Sequence, residues 1–154
     1  MTLHLTPSHL SAIRDHGKVS YPYECCGLLL GKPLAGDDKH LVEVWPVQNV
    51  WESSESSALA DGESARRRYL IPPDAVLAAQ QYARAQGLEI VGYYHSHPDH
   101  PARPSEFDRE YAWPWYSYMI VAVRQGEAED LTSWVLDDNR QFLAEELAVS
   151  PALA

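Results

Sequence analysis

Apolar residues recur along the chain in short runs broken by proline, glycine and charge, and these runs predict strands punctuated by helices. Residues 2–5 fit a short edge strand. Thr6-Pro7 has the form of an N-cap followed by proline at the first helical position. Leu10 and Ile13 share one face of the helix that follows, and Gly17 offers a stop, so this helix is expected to be short. Cys25-Cys26-Gly27-Leu28-Leu29-Leu30-Gly31 reads as a central strand entered through Tyr21-Pro22-Tyr23-Glu24. Residues 41–47 make the next strand, ended by Pro46. The stretch 49–65, rich in Ser and Glu, has no period and is expected to be a long loop.

Residues 67–71 are expected to be extended as a strand. Pro72-Pro73-Asp74 then opens a helix with Val76, Ala79 and Ala83 on one stripe and Gly87 as its stop. Residues 88–97 form a strand that begins apolar and ends in histidines. Ser105 begins a further helix, and 116–123 is a buried strand. Residues 130–136 and 141–147 suggest a closing hairpin around Asp137-Asp138-Asn139-Arg140, although the second arm also suits a helix. No internal repeat is visible. The order predicts an α/β fold, a mixed β-sheet flanked by two or three helices, in one domain spanning 1–154.

Charge narrows the function. With 22 acidic against 12 basic residues the net charge is −10, which argues against a nucleic-acid partner. Arg66-Arg67-Arg68 is the one basic cluster. The N-terminus lacks the pattern of a signal peptide, and no apolar run reaches the roughly 18 residues of a membrane span. The only cysteines, Cys25 and Cys26, are adjacent and cannot staple distant segments, which fits a reducing cytoplasm.

The chemistry concentrates after the run Ile90-Val91-Gly92-Tyr93-Tyr94. His95 and His97, two apart on a strand, face the same way. Asp108 lies beyond a Pro-rich turn long enough to bring its carboxylate back to them. Two imidazoles and one carboxylate with an open fourth position are a catalytic type of zinc site. Asp108 also stands three residues after Ser105, so it is equally the partner of a helix capping box. Glu24, at the mouth of the central strand, is either a solvated charge or a general base. Ser96 should face away and support the strand from behind. His100 reads as exposed rather than ligating, Cys25 and Cys26 as core thiols, and Trp51 as an anchor rather than a substrate contact.

Glu24, His95-Ser96-His97-Pro98, Ser105 and Asp108 together resemble the JAMM metalloproteases, also called the JAB/MPN or Mov34 family. The flank Pro22-Tyr23-Glu24-Cys25-Cys26-Gly27 and the strand Tyr118-Met119-Ile120-Val121 are similar to the small stand-alone prokaryotic members. The resemblance covers about residues 3–136. It implies a cytidine-deaminase-like sheet with one Zn²⁺ held by His95, His97 and Asp108 at the end of a central strand. It implies Glu24 as general base turned acid, and Ser105 as donor to the oxyanion. The implied reaction is hydrolysis of the amide after the C-terminal Gly-Gly of a ubiquitin-like sulfur carrier. The tail would lie in a groove that residues 49–65 and Arg66-Arg67-Arg68 are candidates to line. The alternatives are a non-catalytic scaffold of the same fold, a DNA-repair-associated relative, which the acidic charge disfavours, and a metallo-amidase acting on small molecules.

Overall fold

A computed structural model describes residues 1–51 and 68–151. Most of the expected loop 49–65, with Arg66 and Arg67, lies outside the described residues. Among the described residues, seven strands and three helices follow in the order β1 (Thr2–Leu5), α1 (Pro7–Ser20), β2 (Cys26–Pro33), β3 (Lys39–Val47), α2 (Pro73–Ala85), β4 (Glu89–Pro98), α3 (Glu106–Tyr111), β5 (Ser117–Arg124), β6 (Glu127–Leu136) and β7 (Phe142–Val149). The expected mixed sheet is present, but it closes on itself in the order β1-β3-β2-β4-β5-β6-β7. The closing piece is β1. Leu3 and Leu5 point into the core, and β1 runs parallel to both β3 and β7, so it is not an edge. β4 and β5 are parallel, and the remaining pairs are antiparallel.

Several local expectations change. The first helix runs past Gly17 to Ser20, because Gly17 is a contact point rather than a stop. A Cβ there would come within 3.0 Å of Val123 and 3.3 Å of Val121, so the bare backbone lets α1 settle on β5. Its start is as expected: Pro7 sits in the first turn, the Thr6 hydroxyl accepts from the His9 amide, and His9 Nδ1 accepts from the Thr6 amide. Pro46 does not end β3 but pairs within it opposite Gly27. Residues 68–71 form no strand. The last segment is a strand, and the hairpin of β6 and β7 stands.

Alternation on β2 builds two cores. Leu29 packs with Ile13 of α1, Val91 and Tyr94, whereas Leu28 and Leu30 face Ala79 and Ala83 of α2. A register shift sets Leu29 opposite Gly92 but Leu30 opposite Ile90, a bulge at Val91. Beyond it Tyr94 belongs to the α1 side and Tyr93 to the α2 side. Strand alternation then assigns Ser96 to the α1 side and both His95 and His97 to the other.

Candidate active site

His95 and His97 end β4 between β2 and β5, paired with Cys26 on one side and with Ile120 and Ala122 on the other. Both are buried. Ser96, between them, accepts a hydrogen bond from the Cys25 amide at 2.8 Å, and its own amide donates to the Cys25 carbonyl at 3.2 Å. It ties β4 to the lip of β2 from behind, as its alternation predicts.

Beyond Pro98 the chain is pinned. Asp99, at φ 58°, accepts from the Tyr21 hydroxyl at 2.6 Å and from the Gln125 amide at 2.8 Å. Thr132 donates to the Ala102 carbonyl at 2.7 Å. The loop therefore returns to a fixed place, where Ser105 caps α3. Ser105 Oγ accepts from the Asp108 amide at 3.1 Å and the Ser105 amide donates to Asp108 Oδ2 at 2.8 Å. The capping box and the group with His95 and His97 share the same Asp108. The cap occupies a Ser105 lone pair and leaves its O–H proton to donate elsewhere.

His95, His97 and Asp108 converge with their ligand atoms within 4.8 Å of one another. His95 Nε2 lies 3.1 Å from His97 Nε2 and 3.2 Å from Asp108 Oδ1, and His97 Nε2 is 3.3 Å from Asp108 Oδ2. His97 Nδ1 faces the Pro101 carbonyl at 2.7 Å. A carbonyl only accepts, so Nδ1 carries a proton and the neutral ring keeps its lone pair on Nε2. Burial pushes the Asp108 carboxyl up, but the charge of and hydrogen bonds from His95 and then His97, when those rings are protonated, outweigh it and hold it well below the usual carboxylate range. With the rings neutral and the His97 proton on Nδ1, Nε2 and Asp108 Oδ2 are instead two acceptors 3.3 Å apart, a spacing that a cation between them satisfies. The three separations approach the edge of a tetrahedron with bonds of about 2.0–2.1 Å, which is about 3.3–3.4 Å. The donor set fits a small divalent ion such as Zn²⁺.

Glu24 is not part of that cluster. It is buried just before β2 and lines a cavity of about 420 Å³ with His16, Ser20 and Asn49. Asn49, which the sequence alone did not single out, donates to the Glu24 and Arg68 carbonyls at 3.0 Å each and accepts from the Trp51 and Leu70 amides. Burial, then the charge of Asp108, with smaller effects of Tyr118, Cys26 and Glu24, push the Tyr69 phenol well above its ordinary value. The cysteines are core thiols as expected: both are buried, and burial pushes the Cys25 thiol up to about 12 and the Cys26 thiol higher.

On the Asp108 side lies a second cavity, of about 330 Å³, walled by Trp51, Tyr69, Tyr93, Phe107, Trp113 and Tyr118 among others. Trp51 is buried edge-on to Phe107, an anchor as expected, yet it also walls this cavity. Arg68 lies over the opposite partner of that contact, 4.4 Å from the Phe107 ring centre. Rings also cover the ligands. Tyr69 stacks on His95 at 4.5 Å, and His100, expected to be exposed, stacks on His97 at 4.1 Å while remaining outside the ligand group. No motif marks Tyr69 in the sequence.

The family described as prokaryotic homologues of the JAB domain matches residues 6–137. A desampylase of Haloferax volcanii is 32% identical over 75% of this chain and 73% of its own. A probable TtuB-protein conjugate cleaving protease of Thermus thermophilus is 31% identical over 80% and 74%. A JAB1/MPN domain protein from Archaeoglobus fulgidus, 18% identical, superposes with a TM-score of 0.53 over 96% of each chain and shares the fold. The strand-end cluster thus sits in a JAB/MPN-type fold, and the chain belongs to the prokaryotic JAB-domain family, the small prokaryotic branch of the JAMM proteins.

Proposed function

We propose that this protein is a zinc-dependent peptidase, one JAB domain over 1–154, that hydrolyses the amide after the C-terminal Gly-Gly of a ubiquitin-like sulfur-carrier protein in the cytoplasm. The observation that carries the reading is the convergence of His95 Nε2, His97 Nε2 and the Asp108 carboxylate at 3.1–3.3 Å on one face of β4. The names of the relatives, a desampylase and a TtuB-conjugate protease, support the substrate class.

In this reading His95, His97 and Asp108 hold the ion. Zn²⁺ in such a site supplies Lewis acidity that makes hydroxide available near neutral pH. Glu24 takes the proton of the attacking water on its carboxylate and returns it to the leaving nitrogen. Ser105, its lone pair engaged by the cap, donates its hydroxyl hydrogen to the developing oxyanion. The Cys25–Ser96 hydrogen bonds hold the backbone beside Glu24 to the ligand strand, which favours this division of labour. The aromatic cavity beside Asp108 accepts an apolar side chain of the carrier tail, and Arg68 lies over Phe107, one of its walls.

The test is incubation of the zinc-loaded protein with a ubiquitin-like carrier extended past its Gly-Gly by a peptide, with products read by mass spectrometry. Cleavage after the second glycine, lowered about 10²–10⁴-fold in Glu24→Gln, is expected. Failure to cut any Gly-Gly conjugate, with release of amines from small acyl amides instead, would move the assignment to a metallo-amidase. The cavity of about 330 Å³ has the size for such ligands.

A further inference from the structure

The two histidines of the cluster are fixed by different means. His97 has its Nδ1–H on the Pro101 carbonyl at 2.7 Å, a hydrogen bond that sets both tautomer and ring rotation. His95 has no counterpart: its Nδ1 is buried without a hydrogen-bond partner. An imidazole held by a metal through Nε2 alone can still swing about its ring axis, so something else must stop it. Among the described residues two aromatic rings lie against it. The His97 ring meets it at 4.9 Å and 54°, an oblique contact, whereas the Tyr69 ring lies nearly parallel to it at 4.5 Å and 22°.

We infer that Tyr69 is the positioning residue of His95, and that its aromatic face fixes the rotation of the His95 ring as the Pro101 hydrogen bond fixes that of His97. The inference rests on the reading of His95 as a metal ligand. Tyr69 is itself held, because the following amide, of Leu70, donates to Asn49 Oδ1 at 3.1 Å and the preceding Arg68 carbonyl accepts from Asn49 Nδ2 at 3.0 Å. The ring also walls the aromatic cavity. One side chain therefore both stacks on His95 and walls the space proposed for the substrate, which Asp108 also lines. His100 stacks on His97 in a similar way, but there the hydrogen bond to Pro101 already fixes the ring. Its removal should matter less, which makes it the internal control.

The experiment is titration of the metal-free protein with Co²⁺ and Zn²⁺, with Co²⁺ read by its visible absorption. Tyr69→Ala is expected to weaken metal binding by about 10- to 100-fold and to change the Co²⁺ spectrum, as losses of outer-shell support do. Tyr69→Phe, which keeps the face and drops the hydroxyl, should stay within about threefold of wild type. His100→Ala should fall between the two. The urea midpoint of each metal-free variant reports whether it folds. If Tyr69→Ala does not, Tyr69→Leu retains bulk without the face and should still bind more weakly than Tyr69→Phe. Wild-type affinity and spectrum in the folded Ala or Leu variant would overturn the inference, as would a Phe variant as weak as Ala, since the hydroxyl would then be the active part. A wild-type protein that takes up neither ion would instead overturn the metal reading on which this one stands.

Discussion

Asn49 donates its side-chain amide to the Glu24 carbonyl at 3.0 Å, and with its other three hydrogen bonds it joins the lip of β2 to residues 51, 68 and 70. All the hydrogen-bonding capacity of one amide is used on four backbone groups from three places in the chain. Asn49→Ala removes all four of these hydrogen bonds and should cost about 1–3 kcal/mol. Because Glu24 and Tyr69 lose their anchor together, peptidase turnover should fall more than stability predicts. Urea denaturation and initial rates on a Gly-Gly conjugate measure the two effects, and unchanged values in both would refute the bracing role.

Asp108 closes a helix cap and joins the proposed metal ligands, and Asp108→Asn separates the two roles. The amide oxygen still accepts from the Ser105 amide, so α3 should persist, with a loss below the ~1 kcal/mol typical of a lost cap. The negative charge is gone, and zinc content should drop from about one per chain to near zero on elemental analysis. Retention of stoichiometric zinc by the Asn variant would leave Asp108 as a cap alone.

A Cβ at Gly92 would lie 2.1 Å from the Ser117 carbonyl oxygen, where β4 and β5 begin their parallel pairing. The obstacle is backbone, so no side-chain rotation relieves it. Gly92→Ala should destabilise the protein by about 1–3 kcal/mol or more, the usual cost of overpacking. It should also shift the histidines downstream on β4. A urea midpoint equal to wild type would show that the strands can part at no cost.

Burial lowers the pKa of His16, whose Nδ1 meets the Tyr94 hydroxyl at 2.7 Å. The unfolded chain therefore takes up a proton near pH 6.5, before the folded one does. In the window below that pH the unfolded state binds more protons, so stability falls as pH falls. His16→Gln should flatten this slope. Urea midpoints of both proteins at pH 7.5 and 5.5 test it, and identical slopes would remove His16 from the account.

Trp113 is 67% exposed and walls the aromatic cavity. Trp113→Ala should raise KM for a Gly-Gly conjugate severalfold with kcat little changed, the signature of lost uniform binding. A fall in kcat at constant KM would place the residue in the chemistry instead.

The convergence of His95, His97 and Asp108 was legible in the chain because its geometry is local. His95 and His97 share a face by strand alternation, and Asp108 meets Ser105 within one helical turn. Strand order from 88 onwards and both helix starts at Thr6-Pro7 and Pro72-Pro73 followed from equally local rules. The expectations that changed depend on distant partners. Gly17 looks like a helix stop until Val121 and Val123 arrive against it, and residues 2–5 look like an edge until β7 pairs with them.

Sequence by itself determined which side chains meet at the end of β4, since strand pitch and a helix cap leave them little choice. Only the tertiary structure decided that Tyr69 lies on His95 and that Asn49 braces Glu24. Those contacts join segments 25 or more residues apart in the chain, so no local pattern of residues specifies them.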